Sequence, residues 1–170
     1  MVYSFLGYGL ERIINVFAFG RWLDNSVLYG PFQPMYGIGV VLAVALWHVL
    51  RKTELTPALK VLFLCIGAVL FTYASEMLSG TLYERLYGVK LWDYRLTFDL
   101  WCDHPYSCFI PTTLFGFLAA FTAMVVHPDI AKWADRIPLW QGFLLLGVFI
   151  ADWYFTYSEA LFEVLREVLT

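Results

Sequence analysis

The chain has 170 residues, of which 61% are hydrophobic, 19% aromatic and only 15% charged, and its mean hydropathy is +0.67. Soluble domains carry about 25% charged residues, so this composition excludes an ordinary soluble protein and indicates an integral membrane protein. The formal net charge of −3 and the lack of a basic run exclude nucleic acid as a partner. At about 20 apolar residues per span, the length predicts an all-α polytopic bundle of about five transmembrane helices in a single domain, residues 1–170.

The first predicted helix is Val2–Phe19, which ends before Gly20. One side of it carries a narrow polar stripe whose residues recur at steps of four, three and four: Ser4, Tyr8, Glu11 and Asn15. Arg12 lies at the edge of this stripe. A helix lying flat on the membrane needs a broad, strongly charged face. We therefore favour a spanning helix whose stripe faces the bundle, with an interfacial helix as the alternative.

The connection Arg21–Pro34 precedes the second predicted helix, Met35–Leu50. Gly30, Pro31 and Pro34 preclude a regular helix within the connection. A proline in the first turn of a helix costs nothing, because that N–H has no intrahelical partner. Pro34 is therefore expected to begin the second helix.

The third predicted helix, Ala58–Tyr87, is longer than a bilayer core of about 30 Å requires. About four apolar turns precede Glu76, which shares one side of the helix with further polar residues: Thr72, Ser75, Ser79 and Tyr83. A charge facing lipid at that depth costs at least about 2.5–3.5 kcal/mol. Glu76 should therefore face the bundle or a watery cavity, as a structural carboxylate bonded to a neighbouring helix or as a working site.

The connection Val89–Tyr106 is polar and rich in aromatic residues, which is typical of the headgroup region. The spacing of Asp93, Asp99, Asp103 and His104 matches no metal-binding motif. We therefore expect neither a metal nor another cofactor.

Orientation in the membrane is only weakly indicated. The expected loops divide the Lys and Arg residues evenly, but the compact loops at 51–60 and 127–138 hold few acids, which favours a cytoplasmic N-terminus. The connections 21–34 and 89–106 would then both lie outside. Because oxidising compartments allow disulfides, Cys102 and Cys108 are then candidates for a pair.

The fourth predicted helix is Cys108–Val126 and the fifth is Leu139–Glu163, with a short interfacial helix within His127–Pro138. Small residues at steps of three and four in the fourth helix should let helix backbones approach closely: Gly116, Ala119, Ala120 and Ala123. Asp152 follows thirteen mostly apolar residues of the fifth helix and should lie deep in the membrane.

Three of the five predicted helices thus carry an acidic residue on a polar side: Glu11, Glu76 and Asp152. We expect them to converge inside the bundle, since facing lipid is too costly. Converging carboxylates take up protons or cations readily, whereas a network with Arg12 that fixes helix register is the structural alternative. The candidate polar interior and solute-binding residues are Glu11, Arg12, Asn15, Glu76, Ser79 and Asp152.

Three segments carry a family resemblance: SFLGYGLE at Ser4–Glu11, LYGPFQPMYGIG at Leu28–Gly39 and SEMLSGTLYERLYGVKLWDY at Ser75–Tyr94. In sequence, order and spacing they resemble the bacterial CmpB-like integral-membrane permeases of ABC-transporter type IV. At Asp99–Cys108 the chain reads DLWCDHPYSC, where that family has an asparagine–glycine segment. The resemblance implies a multi-pass protein of the bacterial inner membrane with a part in transport. Its two loop motifs comprise Gly30, Pro31, Pro34, Tyr36, Trp92, Asp93 and Tyr94.

In a five-span topology both motif loops lie on one face of the membrane. We expect them to pack together over the Glu11–Glu76 stripe, with Asp93 accepting hydrogen bonds from the Gly30–Pro34 turn or pairing with Arg12 or Arg21.

Three functions compete at this point. The first is a permease-like transport subunit whose acidic interior binds a small polar or cationic solute. The second is a membrane-embedded enzyme acting on a lipid-linked substrate, with Asp93, Asp99 or His104 as acid or base, and the third is a structural or sensory subunit. No phosphate-binding loop is present in the sequence, so any ATP hydrolysis would need a separate ATPase chain. Membrane lipid is an expected partner, and another membrane subunit or a second copy of the chain are further candidates.

Overall fold

A computed structural model describes residues 1–20, 22, 28–97, 102 and 104–169, with the backbone alone at 18–19 and 159–169. The described part is all-helical. Its helices are α1 Val2–Phe19, α2 Pro34–Leu50, α3 Pro57–Tyr87, α4 Tyr94–Thr97, α5 Phe109–Phe121, α6 His127–Ala134 and α7 Leu139–Leu169. A π-helical turn, Thr122–Val126, joins α5 to α6.

Local signals set the ends of α1 and α3. Gly20 and Gly88 both follow a helix in the left-handed conformation, with φ of 66° and 67°, which a residue without Cβ adopts easily. The Thr56 hydroxyl accepts a hydrogen bond from the Leu59 N–H at 3.4 Å at the start of α3. The predicted bounds of both helices are confirmed to within one residue.

Two helices run further than the sequence predicted, and one of them is α7, which ends at Leu169 and not at Glu163. The expected break after Val126 does not occur, because helix continues through the π-helical turn from Phe109 to Ala134. The His127 N–H bonds to the Thr122 carbonyl five residues back, and this wider turn accommodates Pro128, which has no N–H to donate. The predicted short helix at 127–138 is therefore α6, which directly prolongs the preceding helix.

Three described helices are long and apolar enough to cross a membrane: Pro57–Tyr87, Phe109–Ala134 and Leu139–Ser158. Pro34–Leu50 is apolar but shorter. α1 is less apolar because of its polar stripe, which includes Glu11 and Arg12. The prediction of a helical membrane protein is confirmed.

α3 is the centre of the bundle and packs against α2 and α5, which also contact each other. The core between them consists largely of small and branched side chains: Ala43, Leu50, Leu64, Ala68, Ala119, Ala120 and Ala123. A Cβ on Gly116 would lie 2.6 Å from the Val69 Cα, so α3 and α5 touch backbone to backbone, as the small residues predicted. α1 packs on α2, and α7 lies against α3, with most side chains of Leu139–Ser158 exposed or half-buried.

Candidate functional site

Glu76 lies at the centre of the bundle, with only 1% of the residue exposed. Its Oε1 accepts a hydrogen bond from the Tyr94 hydroxyl at 2.9 Å, and its Oε2 accepts one from the Thr112 hydroxyl at 2.5 Å. Within the described part of the chain no ion pair involves Glu76. Neutral hydroxyl groups alone therefore hold this carboxylate.

The N-terminal turn of α5 positions Thr112. Its hydroxyl accepts a hydrogen bond from the Cys108 N–H at 3.3 Å and lies 3.2 Å from the Ser107 hydroxyl. Cys108 is bonded to Cys102 in a disulfide, which confirms the hypothesis that these two cysteines pair. The disulfide thus ties the connection before α5 to the turn that carries Thr112.

The connection between α3 and α5 folds back over α3 and brings Tyr94 to Glu76. The Tyr94 N–H donates to the Pro105 carbonyl at 2.8 Å, and Trp92 Nε1 donates to the Tyr106 carbonyl at 3.4 Å. Burial, followed by the nearby Glu76 carboxylate, raises the pKa of Tyr94 well above its usual value. Tyr94 therefore keeps its proton and acts as a donor.

Tyr106 anchors this connection on α3. It is 2% exposed, and its ring lies so close to Gly80 that a Cβ there would be 2.3 Å from the ring. The hydroxyl donates to Glu84 one turn further along α3. Burial and that hydrogen bond raise the pKa of Tyr106 to about 12.

Glu11 on α1 belongs to the same polar region. Gln33 Nε2 donates to its Oε2 at 2.8 Å, and the Tyr36 hydroxyl is also hydrogen-bonded to it. Tyr36 and Tyr94 each interact electrostatically with both Glu11 and Glu76. The structure therefore brings two of the three predicted acidic residues to one pair of tyrosines.

Arg12 and Asn15 lie elsewhere on α1. Arg12 is 6% exposed, donates to the Tyr8 hydroxyl at 2.5 Å and stacks over the rings of Tyr8 and Trp22. Asn15 is 4% exposed, and its Nδ2 finds no hydrogen-bond partner in the structure as described. Among the described residues, the hydrogen-bond partners of Glu76 are Tyr94 and Thr112, not Arg12 or Asn15.

Asp152 binds the first motif loop instead of joining the other two carboxylates. Its Oδ1 and Oδ2 accept hydrogen bonds from the N–H groups of Tyr29 and Gly30, both at 2.9 Å. The expectation that Asp93 accepts the N–H groups of the Gly30–Pro34 turn is therefore wrong. The remaining two N–H groups of that turn, of Phe32 and Gln33, go to the carbonyls of Gly30 and Ser4.

Asp93 has charged neighbours within its own connection. Arg95 Nη2 lies 2.7 Å and Lys90 Nζ 3.5 Å from its Oδ2, and its Oδ1 accepts the Arg95 N–H at 3.1 Å at the start of α4. Arg95 and Lys90, both within three residues along the chain, thus lie beside Asp93. Of the two arginines proposed as its partners, Arg12 donates to Tyr8, and Arg21 lies outside the described residues.

The remaining predicted residues have separate surroundings. Ser79 is half-buried on α3, Pro31 is exposed and Pro34 is the first residue of α2. Trp92 packs edge-on against Tyr106, with ring centroids 5.7 Å apart.

A cavity of about 210 Å³ opens beside Glu76, among α1, α2, α3 and the helix Phe109–Ala134. Its polar wall consists of Tyr36, Thr72, Ser75, Glu76 and Thr122, and apolar side chains form most of the remainder. The π-helical turn contributes Thr122 and Val126 to this wall, and π-helical turns are frequent at functional sites. Tyr3, which also lines the cavity, is hydrogen-bonded to His127 Nδ1 at 2.5 Å.

Sequence reasoning missed two side chains that hold the acidic residues. Thr112 binds Glu76 and Gln33 binds Glu11, yet neither was singled out. The signal for Thr112 is a polar residue in the apolar first turn of a helix, and the signal for Gln33 is a glutamine between two prolines. Among the described residues no group of three or more His, Cys, Asp or Glu side chains could hold a metal ion, and Asp99 and Asp103 lie outside them.

Comparison with known proteins gives one family. Residues 1–157 match the family described as Putative ABC-transporter type IV. No curated protein and no solved structure matches the chain. The match spans nearly the whole sequence, and the three long apolar helices agree with it. The chain therefore belongs to the Putative ABC-transporter type IV family and is a transport-associated membrane protein.

Proposed function

We propose that the chain is a permease-like transport subunit in which Glu76 takes up a proton or the positive charge of a solute. The observation that carries this proposal is the position of Glu76. It is buried, it lines a cavity, and its two hydrogen-bond donors are neutral hydroxyls.

The energetic argument concerns charge. An ionised carboxylate that leaves water costs several kcal/mol unless an opposite charge compensates it, and ionisable groups inside membranes usually mark a solute or proton pathway. The two hydroxyls satisfy some of the lone pairs of Glu76 but bring no positive charge. A proton, a metal cation or an ammonium group arriving through the cavity would supply it.

The enzyme hypothesis finds less support. Asp93 is occupied by Arg95 and Lys90, and His104 Nδ1 accepts the Tyr106 N–H at 3.3 Å. Neither Asp93 nor His104 lines the cavity. We therefore favour transport over lipid chemistry at this connection.

The disulfide supports a membrane orientation for the proposed subunit. Disulfides persist in oxidising compartments, so the connection with Cys102 and Cys108 would face the extracytoplasmic side of a bacterial inner membrane. In a five-span arrangement the N-terminus would then be cytoplasmic. ATP hydrolysis, if it drives transport, would come from a separate ATPase, and the exposed apolar surface of α7 would meet lipid or another membrane subunit.

Carbodiimide labelling tests the role of Glu76. Dicyclohexylcarbodiimide enters apolar regions and adds to protonated carboxyl groups, and mass spectrometry of the detergent-purified protein locates the adduct. We expect Glu76 to be labelled at pH 6 and protected when the pH is raised, and protection by added NaCl would show that a metal cation can also reach it. Asp129 is the control, because its side chain is 80% exposed and pairs with Lys132. We expect Asp129 to stay unlabelled.

The structural alternative gives a different result. If Glu76 merely fixes helix register, its labelling should respond neither to pH between 5 and 9 nor to cations. Glu76→Gln keeps a side chain of the same shape with an oxygen that accepts hydrogen bonds. Under our proposal this variant folds and loses only the labelled site.

A further inference from the structure

We infer that the cavity beside Glu76 binds a small organic amine in its ammonium form, with an apolar body about the size of one aromatic ring and a two-carbon arm. This inference rests on the proposed function of Glu76 and names the class of solute. Three properties of the cavity support it: its volume, the composition of its walls and the arrangement at its polar end.

The volume sets the size of the ligand. An apolar cavity of roughly 150 Å³ holds a benzene molecule, so the 210 Å³ available here admits one ring with a short arm. The surroundings of a buried glycine give independent evidence that the cavity is empty space. Gly39 lies in the cavity wall and is buried, yet a Cβ placed on it would meet no atom within 4 Å.

The walls favour an apolar body. Leu6, Leu10, Val40, Phe115 and Leu118 line the cavity, and burying a ring against such side chains is favourable at roughly 25 cal/mol per Å². A hard metal cation would need about six oxygen ligands arranged around it. Three polar lining residues, Thr72, Ser75 and Glu76, lie within five residues of one another on α3, which suits a ligand with one charged end.

The polar end favours an ammonium group. A carboxylate has about four lone-pair sites, and the Tyr94 and Thr112 hydroxyls occupy two of those on Glu76. Glu76 also lines the cavity, so a ligand bound there lies next to a carboxylate with lone pairs still to offer. Tyr36 lines the cavity as well, and aromatic rings attract cations, while an anionic ligand would be repelled by the charge of Glu76.

Equilibrium dialysis with radiolabelled 2-phenylethylamine tests the inference on the full chain in lipid nanodiscs at pH 7, where the amine is protonated. We expect saturable binding at one site per chain. Glu76→Gln should weaken binding at least about tenfold, and unlabelled 2-phenylethanol, of the same shape without the charge, should compete at least about tenfold less well than the amine.

A cavity-filling variant provides the matched pair. Gly39→Leu should abolish binding because its side chain enters the empty space, whereas Gly142→Leu, on α7 outside the cavity and also with nothing within 4 Å of its Cβ, should bind like wild type. As a control, carbodiimide should still label Glu76 in the Gly39→Leu variant, which would show that the carboxylate remains in place.

Two results would overturn the inference. The first is binding that does not saturate or that Gly39→Leu leaves intact. The second is equal competition by the alcohol, which would indicate an apolar cavity with no preference for charge. If NaCl protects Glu76 from labelling while the amine fails to bind, the amine is excluded and the proposed function stands. If Glu76 labelling responds to neither pH nor cations, the proposed function itself fails.

Discussion

The hydroxyl of Tyr94 lies 2.9 Å from Oε1 of Glu76, although α3 continues from Glu76 to Tyr87 before the chain turns back. At 1.5 Å per residue that distance along the helix is about 16 Å. The connection therefore enters the bundle instead of remaining at its end. Irregular backbone at such depth is tolerated where protein surrounds it.

Removing the Tyr94 hydroxyl should destabilise the protein. Tyr94→Phe takes one donor from the buried Glu76, and a lost partner at a buried acceptor costs about 1–3 kcal/mol. We expect a lower Tm in detergent than for Tyr73→Phe, which changes a tyrosine that is 49% exposed on α3. Equal Tm values for the two variants would show that the hydrogen bond contributes little.

The contact between α3 and α5 should not tolerate a methyl group. In Gly116→Ala the new Cβ would lie 2.6 Å from the Val69 Cα, and such overpacking costs about 1–3 kcal/mol. Gly147→Ala on α7 meets nothing within 4 Å and should be neutral or gain up to about 1 kcal/mol through helix propensity. Denaturant unfolding of both variants measures the difference, and a stable Gly116→Ala would contradict the close packing.

Asp152 should control the first motif loop. In Asp152→Ala the N–H groups of Tyr29 and Gly30 lose the acceptors that now lie 2.9 Å away. We expect faster hydrogen exchange at these two amides, with the core of α3 unchanged. Asp129→Ala, at an exposed position, serves as the control, and unaltered exchange at Tyr29 and Gly30 would refute the anchoring role.

Asp93 gives a pH-dependent prediction. Hydrogen bonds from Arg95, opposed in part by desolvation, hold its pKa below the usual value of an aspartate. Because the folded pKa is depressed, the stabilisation is fully present above the unfolded pKa of about 3.9 and is lost as the pH falls below it. The Tm difference between wild type and Asp93→Asn should stay constant from pH 7 to 5 and shrink below about pH 4.

Asp129→Asn is the matched substitution for that series. Its carboxylate pairs with Lys132 in an exposed position, where ion pairs contribute little. We expect Asp129→Asn to follow wild type throughout. If the two asparagine variants have equal Tm values at pH 7, the connection that carries Asp93 needs no such anchor.

The sequence predicted the structural features that depend on residues close together along the chain, such as the ends of helices. Gly20, Thr56 and Gly88 mark helix ends through local backbone chemistry, and they do so in the structure. The burial of Glu76 followed from the apolar turns before it. Each of these conclusions needs only a few consecutive residues and the period of a helix.

The partners of the acidic residues depend on distant parts of the chain. Thr112 lies 36 residues from Glu76, and Asp152 lies 122 residues from Gly30. Periodicity shows which side of a helix is polar but not which segment will face it. The Asp93 prediction failed for a different reason, because Arg95, only two residues further along the chain, supplied a nearer partner.

The π-helical turn Thr122–Val126 sets the rotational phase of everything after it. An α-helix turns about 100° per residue, and a π turn holds one residue more than an α turn. If the same residues instead continued as a regular α-helix, α6 would be rotated by roughly a quarter of a revolution relative to α5. His127 would then leave Tyr3, to which it is now hydrogen-bonded, so the hydrogen bond of this cavity-lining tyrosine depends on the one extra residue that the π turn accommodates.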